Sequence, residues 1–466
     1  MGESFMKQAG QLIKKKNKVT FTNRQYLILA TPLIISGIST PILGAVDTAV
    51  VGRLPDPTYI GGVAVGALIF NTLYWLLGFL RVSTTGFTSQ AQGANNETET
   101  ILSLLRPMII AISFGLLFIV LQSPILQAAS YLIGASQAVI NHASTYFSIR
   151  IWGAPFTLLS YVIIGWLMGL GKVRLSLATQ IFMNVLNIVL DFIFVLGLGY
   201  GVAGVASATL ISEISAVLFG FWVILRVEKI QISKITVNMT RESAPLMKML
   251  KVNRDLFVRT VCLLTMTGVF TAKGASMGEV TLAANAVLLQ IHYIIAYFFG
   301  GFANASSILV GRAIGGRKEE LYNRAYTLSA VWGIVFAFIF SFSIFLFGEM
   351  IVSLFTTVPV VQDMANSFLI WMCVFPIVGF WYAQLEGIFS GAIEPKFVRD
   401  SIILALLVFL IAIWLLVPLY DNTGLWIAFT LFMFSRSLFL WLYVPNLRKK
   451  IWKREDRAGN RVMNHK

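Results

Sequence analysis

Charged residues are scarce in this sequence. Only 12% of its 466 residues are Asp, Glu, Lys or Arg, about half the share in a typical soluble protein, whereas 57% are hydrophobic. The two cysteines lie inside apolar runs and the three histidines are scattered, so neither a disulfide framework nor a histidine metal site is expected. These scarcities exclude a soluble domain and favour a polytopic membrane protein.

Apolar runs long enough to cross a bilayer recur along the whole chain. They predict an all-α fold with twelve transmembrane helices, at about 27–52, 60–85, 104–128, 139–168, 174–197, 200–225, 255–278, 281–306, 323–348, 365–392, 399–419 and 424–446. An even number of spans places both termini on the same side of the membrane.

Most of the 36 Lys and Arg residues fall in the tails and in the loops on that side. Because basic loops stay in the cytoplasm, both termini are predicted to be cytoplasmic. The basic N-terminal stretch lacks an apolar core and a cleavage site, as expected for a cytoplasmic arm rather than a signal peptide. The net charge of +15 follows from this topology, and no nucleic-acid partner is predicted.

The two halves of the chain resemble each other at an offset of about 222 residues. This offset aligns Gly165 with Gly387, Gly169 with Gly391, and the segment 91–93 with 313–315. A duplicated six-helix unit predicts two lobes related by a pseudo-two-fold axis along the membrane normal, an arrangement that many transporters use for alternating access. The predicted divisions are a basic arm (1–25), an N-terminal lobe (26–226), a cytoplasmic loop (227–253), a C-terminal lobe (254–446) and a basic tail (447–466).

Few acidic residues lie within the predicted spans. They are Asp47, Asp191, Glu213 and Glu386. At the 222-residue offset, Asp47 and Asp191 align with Val269 and Ile413, so only the N-terminal lobe has acids at these two positions. Intramembrane acids are energetically expensive, which makes both of them candidates for a functional site.

Polar residues at helical spacing accompany these two acids. On the fifth span, Gln180, Asn184 and Asn187 lie on the same face as Asp191, and on the first span Thr40 precedes Asp47 by two turns. Asp47, Asn187, Asp191 and Thr209 are predicted to meet in the outer half of the membrane. Such oxygen ligands suit a small hard cation such as Na⁺, and two close carboxylates also favour binding of H⁺. The further candidates are Thr40, Gln180, Asn184 and Glu213; the alternative is that these groups only join helices by hydrogen bonds.

Several basic residues also lie within the predicted spans. Glu213 and Glu386 have Arg81, Arg150 and Arg436 as possible ion-pair partners, and the sequence does not decide between them. Two more, Arg259 and Lys273, are expected either to pair or to extend their charged ends toward the membrane surface. Pro32 and Pro41 are expected to give the first span a place to bend.

The segments 41–52, 61–66 and 81–94 resemble the multidrug and toxic compound extrusion (MATE) family, and its DinF-like branch above all. Segments 201–209 and 310–315 extend this resemblance over most of the chain. It implies two six-helix lobes around a central cavity, and export of organic, often cationic, amphipathic compounds in exchange for protons or sodium ions. It also links Asp47 to cation coupling, with Asn187, Asp191 and Thr209 completing the site.

The second possible function is a flippase for a lipid-linked precursor, which would require a strongly cationic cavity for phosphate groups. An enzyme is not expected, because no catalytic constellation appears near a membrane surface. The expected partners are small amphipathic substrates and the lipid bilayer. A monomer in a bacterial cytoplasmic membrane is expected, with no cofactor besides the coupling ion.

Overall fold

The protein is almost entirely helical throughout the part of the chain that the structure describes. This structure is a computed structural model, and it describes residues 21–51, 57–134, 136–227, 237–240 and 242–452. For residues 40–49, 51, 57, 227, 237 and 238 the description is limited to the backbone. The predicted basic arm and basic tail fall mostly outside the described residues.

The N-terminal lobe contains the first six spans, two of which consist of two consecutive helices. In chain order, the six spans are Asn23–Val51, Pro57–Leu76 with Phe79–Gly93, Glu97–Val120, Gln137–Arg150 with Ala154–Gly169, Val173–Asp191, and Gly201–Val227. A short helix, Gln122–Ile133, follows the third span.

The C-terminal lobe contains the remaining spans. They are Ser243–Ser276, Glu279–Gly315, Glu319–Phe355, Leu369–Gly391, and a last helical stretch, Pro395–Leu442, that holds the eleventh and twelfth spans. Asp421 divides this stretch through a non-helical backbone (φ 45°, ψ −127°), in the predicted gap between the spans 399–419 and 424–446. A short helix, Pro359–Ser367, precedes the tenth span.

Twelve membrane spans in two lobes are confirmed. In the described residues ten helical segments are long and apolar enough to cross a membrane; the first span adds another, and the break at Asp421 divides one of the ten. Most differences from the prediction concern helix ends. The seventh span, for example, begins at Ser243, inside the segment 227–253 that was expected to be a loop.

The duplicated unit is visible in the backbone turns. Asn95 and Arg317, which are 222 residues apart, both have left-handed backbones, with φ of 52° and 53°. Gly171 and Ile393, at the same offset, also have positive φ, of 71° and 57°. A left-handed residue after a helix satisfies its last carbonyls and ends it. Equivalent loops of the two lobes therefore turn in the same way.

Close helix packing repeats at the same offset. A Cβ atom on Gly165 would lie 2.6 Å from the carbonyl oxygen of Arg81, and one on Gly387 would lie 2.2 Å from that of Ala303. Small residues allow membrane helices to approach this closely because their side chains take up little space. Such close packing is important, since lipid provides no hydrophobic force that would hold the helices together. The aligned glycines thus have the same structural role in both lobes.

The lobes contact each other mainly near one end of the bundle. We call it the basic end; it carries the loops at 94–96, 170–172, 316–318 and 392–394. Each lobe has its own apolar core, and a third apolar cluster, including Tyr26, Met168 and Phe302, joins the lobes in the half near the basic end. The central cavity is therefore closed on this side.

Candidate functional site

The fifth span has a buried polar stripe and a lipid-facing apolar surface. Gln180, Asn184, Asn187 and Asp191 are all at most 8% exposed, whereas Val185, between them in the sequence, is 54% exposed. Polar side chains in a membrane helix turn toward protein because lipid cannot satisfy their hydrogen bonds. The predicted stripe therefore faces the interior of the N-terminal lobe.

Hydrogen bonds join this stripe to two neighbouring spans. The Asn187 side-chain amide donates to Thr209 Oγ1 on the sixth span at 3.4 Å. Gln180 Nε2 donates to the carbonyl of Ser36 on the first span at 3.0 Å, and Ser36 Oγ donates to Gln180 Oε1. These contacts bring together two of the predicted coupling residues, Asn187 and Thr209, and connect their helix to the first span.

Asp191 lies one turn beyond Asn187 and is fully buried. A wider π-helical turn, Phe192–Gly197, begins directly after it. Such turns insert an extra residue into a helix and occur frequently at functional sites. The side chains of Asp47 and Thr40 lie outside the described residues, although both belong to the helix Asn23–Val51. Whether Asp47 meets Asp191 stays a prediction.

Pro32 and Pro41 were expected to give the first span a place to bend. The helix nevertheless runs from Asn23 to Val51 as one element. A proline removes one backbone hydrogen bond from a helix, and neighbouring helices make this tolerable inside a membrane. The helix is therefore unbroken at both prolines in this conformation.

Glu213 belongs to a different cluster. Its carboxylate lies 3.3 Å from Arg150 Nη2, and Arg150 also donates to the Tyr146 hydroxyl at 2.8 Å and lies 4.8 Å from the centre of the Phe70 ring. None of these residues lines the central cavity. Glu213 and Arg150 therefore neutralise each other inside the N-terminal lobe.

A central cavity of about 260 Å³ lies between the lobes. Its walls come mostly from the C-terminal lobe, and they include the apolar or aromatic side chains Leu263, Met266, Tyr293, Tyr297, Tyr382 and Met433, with Trp75 from the N-terminal lobe. Bulky, mainly apolar walls with a few polar groups are typical of small-molecule pockets.

The charged residues of the cavity are mostly arginines. Arg259 Nη2 lies 2.5 Å from one oxygen of Glu386, and Arg436 Nη2 lies 3.2 Å from the other. The Arg436 guanidinium also stacks 3.7 Å from the centre of the Tyr382 ring. Arg81 lines the same cavity from the N-terminal lobe. The cavity thus holds three positive groups and one negative group.

Comparison with known proteins identifies the family. The MatE family model matches residues 32–193 and again residues 256–418, once in each lobe. The chain belongs to the MATE family of transporters. It is therefore a multi-pass membrane transporter rather than an enzyme.

Two curated relatives illustrate this membership. The transporter is 36% identical over 441 residues to DNA damage-inducible protein F of Escherichia coli, covering 95% of this chain and 94% of that protein. It is 21% identical over 340 residues to the multidrug export protein MepA of Staphylococcus aureus, covering 72% and 74% of the two chains. The DinF-like resemblance is thereby confirmed.

Solved structures share the fold. A multidrug resistance MATE family transporter in an outward-facing conformation matches with a TM-score of 0.82 at 21% identity, over 92% of this chain and 97% of that one. A MOP superfamily transporter from Pyrococcus furiosus also matches with a TM-score of 0.82 at 21% identity, over 92% and 96% of the two chains. These similarities support the two-lobe architecture.

Sequence reasoning did not place Arg259 and Tyr382 in this transporter's cavity. Arg259 was expected only to pair or to reach the membrane surface, and Tyr382 was not among the candidate residues. Both face the cavity because the seventh and tenth spans turn these positions toward the other lobe. Of the possible partners for Glu386, the structure selects Arg436 and adds Arg259.

Proposed function

We propose that this transporter exports amphipathic organic compounds in exchange for H⁺ or Na⁺ by alternating access. In this proposal Asp47, Asn187, Asp191 and Thr209 bind the coupling ion, and the compound occupies the cavity between the lobes. The observation that carries it is the buried polar stripe of the fifth span, which ends at Asp191 and has an isoleucine at the aligned position of the other lobe. Since a buried acid is costly, a transporter retains it where its charge is used.

The contacts between the lobes support a cycle with alternating openings. Hydrogen bonds that join the lobes lie in the half near the basic end, among them Gln90 to Gly391 and Arg312 to Leu170. If the basic end is cytoplasmic, this is an outward-facing state. External cations then reach the N-terminal lobe while the cytoplasmic path is closed.

Binding of the cation would change the first span. Neutralising Asp47 and Asp191 removes the cost of keeping two acids together in a low dielectric. The first span can then shift against the fifth, with Pro32 and Pro41 as the positions where its hydrogen-bond ladder is weakest. Because the first span also packs on the eighth, this shift would change the fit between the lobes and release the compound.

The decisive experiment uses purified protein in liposomes. Movement of a fluorescent amphipathic dye is followed under an imposed proton gradient and then under a sodium gradient. Asp47→Asn and Asp191→Asn are each compared with Asp363→Asn, which removes an exposed acid from the short helix Pro359–Ser367. We expect one gradient to drive the dye in the wild type and the Asp363 variant but not in the other two. Dye movement by Asp47→Asn at the wild-type rate would remove Asp47 from the coupling site.

A lipid-linked precursor flippase is the second candidate. Three arginines in the cavity favour it, since phosphate groups are recognised by guanidinium groups. It requires no ion gradient, so exchange of a fluorescent prenyl diphosphate between the leaflets without a gradient would favour the flippase over the exporter.

We propose a monomer in a bacterial cytoplasmic membrane with both termini in the cytoplasm. Labelling of single cysteines in the 316–318 loop by an impermeant reagent, in spheroplasts and in inverted vesicles, tests this orientation.

A further inference from the structure

The geometry points to an anion-binding site in the central cavity: Arg259 and Arg436 of one lobe and Arg81 of the other bind the negative headgroup of the transported compound, and Glu386 is their counter-ion in its absence. The inference rests on the proposed export function and narrows its substrate class. The expected ligand is an amphipathic organic anion that carries a carboxylate, sulfonate or phosphate group.

Positive and negative charges in the cavity do not balance. Three guanidinium groups and one carboxylate line the cavity, which leaves an excess of positive charge among lipid-facing helices. Unpaired charges inside a membrane protein are costly, so such an excess is retained where a ligand neutralises it. An organic cation entering this cavity would instead be repelled. The charge of the cavity therefore disfavours binding of the cationic compounds that the family resemblance implies.

The pairing of Glu386 leaves donors available. Each of its oxygens contacts one guanidinium, from Arg259 and from Arg436. A guanidinium has five N–H donors, and the Nε atom of Arg259 is buried without a hydrogen-bond partner in the described part of the chain. The Tyr382 ring holds the Arg436 guanidinium by stacking. The pair is thus pre-positioned to accept a second anion.

Arg81 lines the cavity from the other lobe, on the second span. Among the described residues its side chain makes neither an ion pair nor a hydrogen bond. An anion between Arg81 and Arg436 would contact both lobes. Binding in this position would link occupancy of the cavity to the arrangement of the lobes.

The aligned positions of the opposite lobe do not carry these charges. At the 222-residue offset, Arg259, Arg436 and Glu386 align with Gly37, Ile214 and Ile164. Arg81 aligns with Ala303, which lines the same cavity without charge. Packing of the two lobes therefore does not require this cluster, and binding of a charged ligand explains it.

The remaining walls suit the apolar part of an amphipathic molecule. Trp75, Tyr293 and Tyr297 offer flat aromatic surfaces, and Met266 and Met433 offer adaptable ones. The volume of about 260 Å³ is near the lower end for small-molecule pockets, which suits a headgroup with one ring system.

Equilibrium binding tests the inference without any ion gradient. Purified protein in phosphatidylcholine nanodiscs is titrated with radiolabelled naphthalene-2-sulfonate and, separately, with (2-naphthyl)trimethylammonium, which has the same rings and the opposite charge. The variants are Arg81→Gln, Arg81→Lys and Glu386→Gln. The control Lys273→Gln removes an exposed positive charge from the seventh span, outside the cavity.

We expect the sulfonate to bind more tightly than the ammonium probe. Arg81→Gln should raise the Kd of the sulfonate about tenfold, the effect of losing one charge-assisted hydrogen bond. Arg81→Lys should restore most of the affinity, Lys273→Gln should leave it unchanged, and Glu386→Gln should increase it by removing the competing carboxylate. Equal or tighter binding of the ammonium probe, or sulfonate binding that Arg81→Gln leaves unchanged, would overturn the inference.

Two competition arms identify the source of the anion. Displacement of the sulfonate by geranyl diphosphate at much lower concentration than by dodecanoate indicates a lipid-linked phosphate, and the reverse indicates a free amphipathic acid. A protein that exchanges organic cations under a gradient but does not bind the sulfonate retains the proposed antiport and refutes this inference. Sulfonate binding with the expected variant effects, but no gradient-driven export, supports the site and refutes the antiport.

Discussion

The Gln90 side-chain amide donates a hydrogen bond of 2.9 Å to the main-chain carbonyl of Gly391, and so joins the two lobes near the basic end. Gly391 can accept it because the tenth span packs tightly here: a Cβ at this position would lie 2.3 Å from the carbonyl of Ser307. Together with the bond from Arg312 to Leu170, this contact must open for the cavity to face the basic end.

Replacing Gln90 should favour opening at the basic end. Gln90→Leu keeps the side-chain volume but removes the hydrogen-bond donor. This should destabilise the closed arrangement by about 1 kcal/mol, which changes the equilibrium between the two conformations about fivefold. Spin labels at the exposed positions Glu97 and Lys318, in a background without Cys262 and Cys373, report the distance between the lobes. A larger population at long distance is expected. Gln92→Leu, at an exposed position of the same helix, is the control, and an equal shift there would contradict this role.

Removing the Thr209 hydroxyl should weaken binding of the coupling ion. Thr209→Val eliminates the acceptor of the Asn187 amide and a candidate oxygen ligand while it keeps the side-chain shape. We expect the ion concentration for half-maximal dye export to rise several-fold, with Thr209→Ser close to the wild type. Unchanged ion dependence in Thr209→Val would mean that this hydroxyl only joins the fifth and sixth spans.

Glu213 should be important for stability rather than for coupling. Glu213→Gln leaves Arg150 buried without a neutralising partner, and breaking a buried pair in this way costs about 3–5 kcal/mol. Thermal unfolding in detergent should show a strong loss of stability, and the double replacement Arg150→Met with Glu213→Leu should recover much of it. A stable Glu213→Gln protein that has lost the ion response would instead assign Glu213 to the coupling site.

The repeated glycines should be equally sensitive in both lobes. Gly165→Ala and Gly387→Ala each place a Cβ less than 3 Å from a carbonyl of the neighbouring span, which forces the helices apart at a cost of about 1–3 kcal/mol. Gly268→Ala is the matched control, because no atom lies within 4 Å of its Cβ position and alanine favours the helix. Lower thermal stability in the first two variants alone is expected; normal stability in either of them would contradict the packing.

Local patterns in the sequence predict much of this protein. Crossing a bilayer needs about 20 apolar residues in one continuous run, so the spans appear in the sequence directly. The spacing of Asn187 and Asp191 likewise predicts a shared buried face, because one helix determines it. Helix ends are less well predicted: the break at Asp421 agrees with its turn residues, whereas the extension of the seventh span to Ser243 has no comparable signal.

Ion-pair partners depend on packing between helices. The sequence identified the intramembrane acids and arginines but could not assign partners, since Arg150 pairs across 63 residues with Glu213 and Arg436 across 50 with Glu386. The same limit applies to Arg259, whose direction depends on the rotation of the seventh span about its axis.

The sequence by itself determined the membrane spans, the duplication and the family, because these depend on local hydrophobicity and on residues at fixed offsets. Only the tertiary structure decided which charges share the central cavity. Arg81 and Arg436 are far apart in the chain, and only the packing of one lobe against the other brings both to its walls. The electrostatic character of the cavity is therefore a property of the assembled lobes, because charges from distant helices act together only across a shared low-dielectric space.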